Sequence, residues 1–166
     1  MDFDQIVKNR RSIRSYKKTP VPREKIDKIL KSARLAPSAR NLQPWHFIVV
    51  EDKEMIKKLA KTSWAETAPL MIVGLADTET SPHWCQNDLG IALEHMVLAA
   101  WDLGLGTCWM GQSEREDLLR ELLEVPDNLR PIAIITVGEA KGAPDAKPRK
   151  SMESIVSWEK YGKKPE

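Results

Sequence analysis

Apolar side chains recur every three or four residues in four segments, the spacing that places them on one face of an α-helix. Pro22 suits the first turn of the second predicted helix, whose apolar face begins at Ile26. Pro37 ends this helix, because the residue before proline avoids helical geometry. Asp52 can cap the third helix, while Ser113 and Glu116 form a capping box for the fourth. The predicted apolar faces are Phe3, Ile6 and Val7 in residues 2–9; Ile26, Ile29, Leu30 and Ala33; Met55, Ile56 and Leu59; and Leu118, Leu119, Leu122 and Leu123.

A fifth predicted helix, residues 87–103, is apolar on almost every side. A helix of this kind is buried on most of its faces. In a chain of 166 residues, a second subunit is a natural source for part of that burial. Gly104 can end the helix, because glycine readily adopts the left-handed conformation found just beyond a helical C-terminus.

Four short apolar runs predict β-strands at residues 46–50, 70–76, 107–110 and 132–137. Helices and strands do not alternate cleanly along the chain, so the pattern favours an α+β fold over α/β. The length suits a single domain, residues 1–166. A linker-like segment, residues 141–150, separates the body of this domain from a C-terminal tail, residues 151–166, that holds one short amphipathic turn.

Composition is that of a soluble globular protein, with 42% hydrophobic and 30% charged residues. The net charge of +2 gives no case for a nucleic-acid or membrane partner, and no apolar run is long enough to span a bilayer. The acidic N-terminus lacks a signal-peptide pattern, so we expect a cytoplasmic protein. The histidines and the two cysteines, Cys85 and Cys108, lack metal-ligand spacing, and we expect Cys108 to be a buried, inert thiol.

A basic cluster near the N-terminus offers a candidate phosphate site. Guanidinium groups bind phosphate oxygens in pairs, and a serine hydroxyl adds a neutral donor. A second basic set follows the linker-like segment, and both sets could converge on one phosphate, although a solvated basic turn would show the same residues. Neither set has the P-loop pattern. The first set is Arg10, Arg11, Ser12 and Arg14, and the second is Lys147, Arg149 and Lys150.

Residues 36–45 form a polar segment between prolines, with two amide side chains, Asn41 and Gln43. Each amide offers both a donor and an acceptor. This chemistry suits the edge of a heterocyclic ring with alternating N–H and C=O groups. The alternative is a loop whose side chains hydrogen-bond their own backbone, as asparagine often does.

Taken together, these segments resemble four motifs of the nitroreductase family of FMN-dependent flavoproteins: residues 10–14, 36–47, 104–111 and 147–150, in the family's order. The resemblance implies an α+β fold with a central mixed β-sheet flanked by helices. It also implies an obligate homodimer with FMN at the subunit interface, the helix at residues 87–103 acting as a dimer helix. The tail could then embrace the partner subunit or cover the flavin.

The resemblance assigns the chemistry to FMN and no catalytic role to a side chain. Arg10, Ser12 and Arg149 would hold the FMN phosphate, with Lys147 nearby. Arg14 would approach the pyrimidine edge of the flavin, where its positive charge would tune the reduction potential. The remaining candidate cofactor-binding residues are Arg11; Pro37, Ser38, Ala39, Asn41 and Gln43, in a segment the partner subunit would contribute; and Trp109, Met110 and Gly111, which would line the flavin beside its reactive nitrogen.

The implied activity is transfer of reducing equivalents from NADH or NADPH through FMN to nitroaromatics, quinones or similar small acceptors. Two alternatives stay open at this point. One is a flavin-binding or carrier protein without turnover, which would share every motif. The other is a specialised enzyme such as a reductive dehalogenase, because nothing in the sequence selects the acceptor.

Overall fold

The computed structural model describes residues 2–112 and 114–165. Four antiparallel strands form one sheet in the order β1-β2-β4-β3, so β1 and β3 are its edges. The α+β class is therefore confirmed. The strands are β1 (Trp45–Val50), β2 (Leu70–Asp77), β3 (Gly106–Gly111) and β4 (Leu129–Gly138).

The expectation of a mixed sheet needs correction. All pairings between the four strands are antiparallel, and the one parallel pairing among the described residues is an isolated bridge between Ser12 and Thr107. The reason is the chain path, since β4 inserts between β2 and β3 and runs opposite to both.

All five predicted helices are present, with limits that differ by up to two residues from those given by the apolar pattern. Asp52 caps its helix by accepting a 2.8 Å hydrogen bond from the Met55 backbone N–H, as predicted. Pro22 precedes the first helical residue instead of lying in the first turn. Ser113 lies outside the described residues, and the predicted capping box is wrong because Arg115 is the N-cap of its helix and Glu116 is the first helical residue. The helices are α1 (Phe3–Asn9), α2 (Arg23–Arg34), α3 (Lys53–Leu59), α4 (Cys85–Asp102), α5 (Glu116–Leu123) and α6 (Met152–Ile155), with short 3-10 turns at Ala39–Asn41 and Ala65–Thr67.

The core has two layers, one on each face of the sheet. Helices α2 and α4 cover one face, and α3 and α5 cover the other. The buried apolar residues of α4 pack in the core layer with α2 and the sheet, whereas Ile91 stays 41% exposed. On α1 only Ile6 is buried, and Phe3 and Val7 are exposed. No helix within the described residues is long and apolar enough to cross a membrane.

Candidate functional site

The segment between α1 and α2 that carries the N-terminal basic cluster, residues 10–16, packs against the outer edge of β3. We call it the arginine segment. The Ile13 N–H donates a 2.8 Å hydrogen bond to the Thr107 carbonyl, and Ser12 pairs with the same residue. Further along, Tyr16 pairs with Ala140. The basic side chains are thus held by a main chain that is hydrogen-bonded to the sheet.

Two fully buried side chains anchor the arginine segment to the sheet, Ile13 and Tyr16. The Tyr16 hydroxyl donates to the Ile13 carbonyl at 2.7 Å and lies 2.7 Å from the Thr136 hydroxyl. Burial raises the pKa of Tyr16 well above its usual value, so the phenol stays protonated and keeps donating. Ile13 fits because Gly106 has no side chain: a Cβ there would lie 2.5 Å from Ile13 Cγ1.

The structure brings both predicted basic sets to one pocket of about 490 Å³. Of the residues in the two sets, only Lys150 does not line this pocket. Lys8 and Asp145, which the sequence did not single out, also lie in its wall, so six basic side chains face one carboxylate. The basic and hydroxyl groups of the wall are Lys8, Arg10, Arg11, Ser12, Arg14, Lys147 and Arg149.

The pocket arginines differ in what their guanidinium groups already contact. Arg11 Nη1 donates to the carbonyls of Lys8 and Arg10, at 2.8 Å each, and so satisfies acceptors at the end of α1. Arg14 lies over the indole ring of Trp64. The side chains of Arg10 and Arg149 make no hydrogen bond or ion pair within the described residues, so their donors remain available for an anion.

Cys108 lies on β3 beside the arginine segment and is buried. Burial raises the pKa of its thiol, although the nearby Arg14 charge and a hydrogen bond with Ser12 act in the opposite direction. A thiol that stays protonated is a poor nucleophile. This agrees with the prediction of an inert cysteine.

The segment at residues 37–43, which we call the amide loop, connects α2 to β1 and has a strained backbone. Arg40, Asn41 and Gln43 have φ of 52°, 56° and 50°, the left-handed region that costs energy for residues with a side chain. The Ala39 N–H donates to Asp88 Oδ2 at 3.1 Å, holding the loop to the first turn of α4. Strain that the surroundings maintain is typical of ligand-binding segments.

Hydrogen bonds inside the amide loop leave most of the side-chain amide groups of Asn41 and Gln43 accessible to a ligand. The Gln43 N–H donates to Ser38 Oγ at 2.9 Å, and the Gln43 amide nitrogen contacts the Asn41 carbonyl at 3.2 Å. Asn41 and Gln43 are exposed. Local bonding of the kind that the alternative interpretation expected is therefore present, and the Asn41 side chain is still available to a ligand.

The predicted site residues do not all meet within one chain. The amide loop precedes the edge strand β1, whereas the arginine segment lies along the opposite edge, β3. On β3 itself, Trp109 and Gly111 are exposed, but the Met110 side chain is buried in the core layer between the sheet, α3 and α5. One chain thus carries two separated parts of the predicted site.

Comparison with known proteins gives a consistent result. The sequence model of the nitroreductase family matches residues 7–69 and 59–139. The chain is 41% identical over 152 residues to an Archaeoglobus fulgidus protein named as a candidate NADH dehydrogenase/NAD(P)H nitroreductase, covering 85% of this chain and 87% of that one. It is 31% identical over 177 residues to the FMN reductase (NAD(P)H) of Bacillus subtilis, covering 91% and 71%. The solved FMN-dependent nitroreductase of Clostridium difficile R20291 superposes with a TM-score of 0.88 at 36% identity, covering 95% and 99%.

Proposed function

Because the chain belongs to the nitroreductase family, an oxidoreductase family, we propose that it binds FMN and passes reducing equivalents from NADH or NADPH to a small acceptor such as a nitroaromatic or a quinone. The observation that carries the FMN assignment is the convergence of two distant basic sets on one pocket. FMN, when bound, supplies the hydride and electron transfer that side chains do not provide.

The residues of the pocket fit a phosphate monoester. Arg10 and Arg149 offer uncommitted guanidinium donors, Ser12 offers a hydroxyl, and Lys147 adds a further positive charge. Charge-assisted bonds from such groups are the strong class of phosphate contacts. The volume of about 490 Å³ lies within the range of small-ligand sites. Arg14, in the same wall, would face the pyrimidine edge of the flavin.

We assign the amide loop to the site of a second subunit. One chain holds the loop and the arginine segment at opposite edges of its sheet, so a dimer that places the loop of one chain against the pocket of the other would complete two equivalent sites. Apolar side chains left open to solvent support this arrangement, because such surface marks an interface. On the tail and α4 these are Ile91, Met152, Ile155, Val156 and Trp158.

The first test is the visible spectrum of the purified protein, with mass analysis of any compound released by heat. An FMN spectrum is expected. A colourless protein that gains no flavin spectrum on incubation with FMN would refute the proposal. The double variant Arg10→Ala, Arg149→Ala should lose FMN on gel filtration. The matched control is Arg23→Ala, Lys150→Ala, which removes the same charge outside the pocket and should retain FMN.

Co-expression of two defective chains tests the shared site. One chain carries Arg10→Ala and Arg149→Ala, and the other carries Asn41→Ala and Gln43→Ala. If the loop serves the partner's pocket, each mixed dimer regains one intact FMN site, whereas neither homodimer does. If the loop serves its own chain, mixing restores nothing and the interface assignment fails.

Turnover separates an enzyme from a flavin carrier. We expect NADH or NADPH to be oxidised continuously when a quinone is added, because the quinone would reoxidise the bound FMN once NAD(P)+ has left, and the next NAD(P)H could then react. Oxidation of one equivalent of NAD(P)H per FMN, without further turnover, would instead identify a carrier.

A further inference from the structure

Trp64 forms a platform beneath Arg14, a pocket residue whose charge is well placed to act on a bound cofactor. The guanidinium carbon lies 5.8 Å from the centroid of the indole ring, within the distance of a cation–π contact. Among the described residues this is the one such pairing. Arg14 is otherwise exposed and makes no hydrogen bond or ion pair with the described part of the chain, so Trp64 is its principal constraint.

The platform itself is fixed in place. Trp64 is half-buried and packs against the small cluster of Ile13, Tyr16 and Ala68, which also anchors the arginine segment. Its carbonyl accepts hydrogen bonds from the N–H and the hydroxyl of Thr67, at 3.1 and 2.7 Å. The ring and the segment that carries Arg14 therefore rest on the same buried residues, and their relative position is set by the core.

We propose that Trp64 is a positioning residue: it holds the Arg14 guanidinium at the pocket wall and thereby sets the affinity and the reduction potential of bound FMN. This inference rests on the proposed FMN-dependent function. An arginine side chain has many rotamers, and without the ring its charge would spread over a larger volume. The mean distance from charge to cofactor would grow, and the Coulomb attraction would weaken with it.

The effect on the potential has a definite sign. Reduction adds negative charge near the pyrimidine edge of the flavin, so a fixed positive charge there strengthens binding of the reduced form more than of the oxidised form. Loss of the platform should consequently lower the reduction potential. It should also weaken FMN binding roughly two- to fivefold, the factor that corresponds to the usual strength of an exposed cation–π contact.

The test compares Trp64→Leu with Trp101→Leu. Trp101 is also half-buried and packs against the same cluster, but no arginine lies over its ring within the described chain. Trp64 also packs against the core layer that lies between the sheet, α3 and α5, so Trp64→Leu should lower the melting temperature of the FMN-free protein at least as much as Trp101→Leu does. The midpoint potential and the FMN dissociation constant should change in Trp64→Leu alone. Trp64→Phe, which keeps an aromatic face, should recover part of both.

The effect must also pass through Arg14. In an Arg14→Gln background, Trp64→Leu should cause no further shift in potential. Equal potentials for Trp64→Leu and Trp101→Leu, or a full Trp64→Leu shift in the Arg14→Gln background, would overturn the positioning role. Wild-type protein that retains no FMN would instead overturn the proposed function itself. Should Trp64→Leu not fold, wild-type potential and affinity in Trp64→Met, which fills similar space without an aromatic face, would overturn the role.

Discussion

Gly106, the first residue of β3, should not tolerate even a methyl group. A Cβ at this position would lie 2.5 Å from Ile13 Cγ1 and 2.8 Å from Ile13 Cβ. Rotation of the Ile13 side chain moves Cγ1 but not Cβ, and the side chain has no exposed surface into which it could turn. The main chain of the arginine segment must therefore move away from the sheet in Gly106→Ala.

The expected cost follows from the contacts that this movement disturbs. Forcing an extra methylene into a packed core costs about 1–3 kcal/mol. The 2.8 Å bond from Ile13 N–H to the Thr107 carbonyl and the 2.7 Å bond from Tyr16 to the Ile13 carbonyl would also lengthen, and each such bond contributes about 1 kcal/mol. We expect a loss of about 2–4 kcal/mol in the free energy of unfolding. Ser12 and Arg14 flank Ile13, so FMN affinity should fall as well.

Denaturant unfolding at matched protein concentration measures this loss, because the stability of the proposed dimer would depend on concentration. Gly111→Ala is the matched control: it lies on the same strand, and a Cβ there would have no neighbour within 4 Å. Ile13→Ala removes the atom of the closest contact, so its combination with Gly106→Ala should cost less than the sum of the two. Strict additivity, or equal stability of Gly106→Ala and Gly111→Ala, would refute the steric explanation.

Two further predictions concern the amide loop and a surface cluster. Asp88→Ala should cost about 1–3 kcal/mol in denaturant unfolding because the Ala39 N–H loses its acceptor; Asp88→Asn keeps an acceptor oxygen, and equal stability of the two variants would contradict this role. Burial raises the pKa of Glu116, but ion pairs with Arg130 and Arg120 outweigh it and the net pKa is lowered. The ion pairs of Glu116 therefore stabilise the folded state fully above the usual pKa of the carboxyl near 4.5. This stabilisation is lost as the pH falls through the lower pKa of the folded state. Glu116→Gln should flatten the acid side of the stability–pH curve, and an unchanged curve would exclude the linkage.

The elements of the fold could be predicted because their signals are local. Apolar spacing, a capping aspartate and bracketing prolines identify the helices, and Gly104 indeed adopts φ of 75° just beyond α4. The order of the strands could not be predicted in the same way. It depends on β4 inserting between β2 and β3, a choice made by packing among segments distant in sequence. The expectation of a mixed sheet failed for that reason.

For the candidate site, too, local signals could be predicted from the sequence and contacts between distant positions could not. Residue types identified the basic sets, and the fold was needed to show that residues 10–14 and 147–149 line one pocket. The supporting contacts were missed because each joins distant positions: Tyr16 meets Thr136 120 residues away, and Arg14 meets Trp64. A glycine that serves close packing, such as Gly106, looks the same in sequence as one that serves a turn.

The two halves of the proposed phosphate pocket are built differently. The arginine segment is hydrogen-bonded to the sheet and anchored by buried Ile13 and Tyr16. Beyond the Lys141 N–H, which donates to the Ser15 carbonyl, residues 142–150 are exposed and make no main-chain hydrogen bond to the described body. Phosphate binding would therefore have to order Lys147 and Arg149, whereas the main chain that carries Arg10 and Ser12 is already ordered. The arginine segment, which is already held in place, can fix where the phosphate lies. Retention of the phosphate then depends on the free energy needed to order the chain around Lys147 and Arg149.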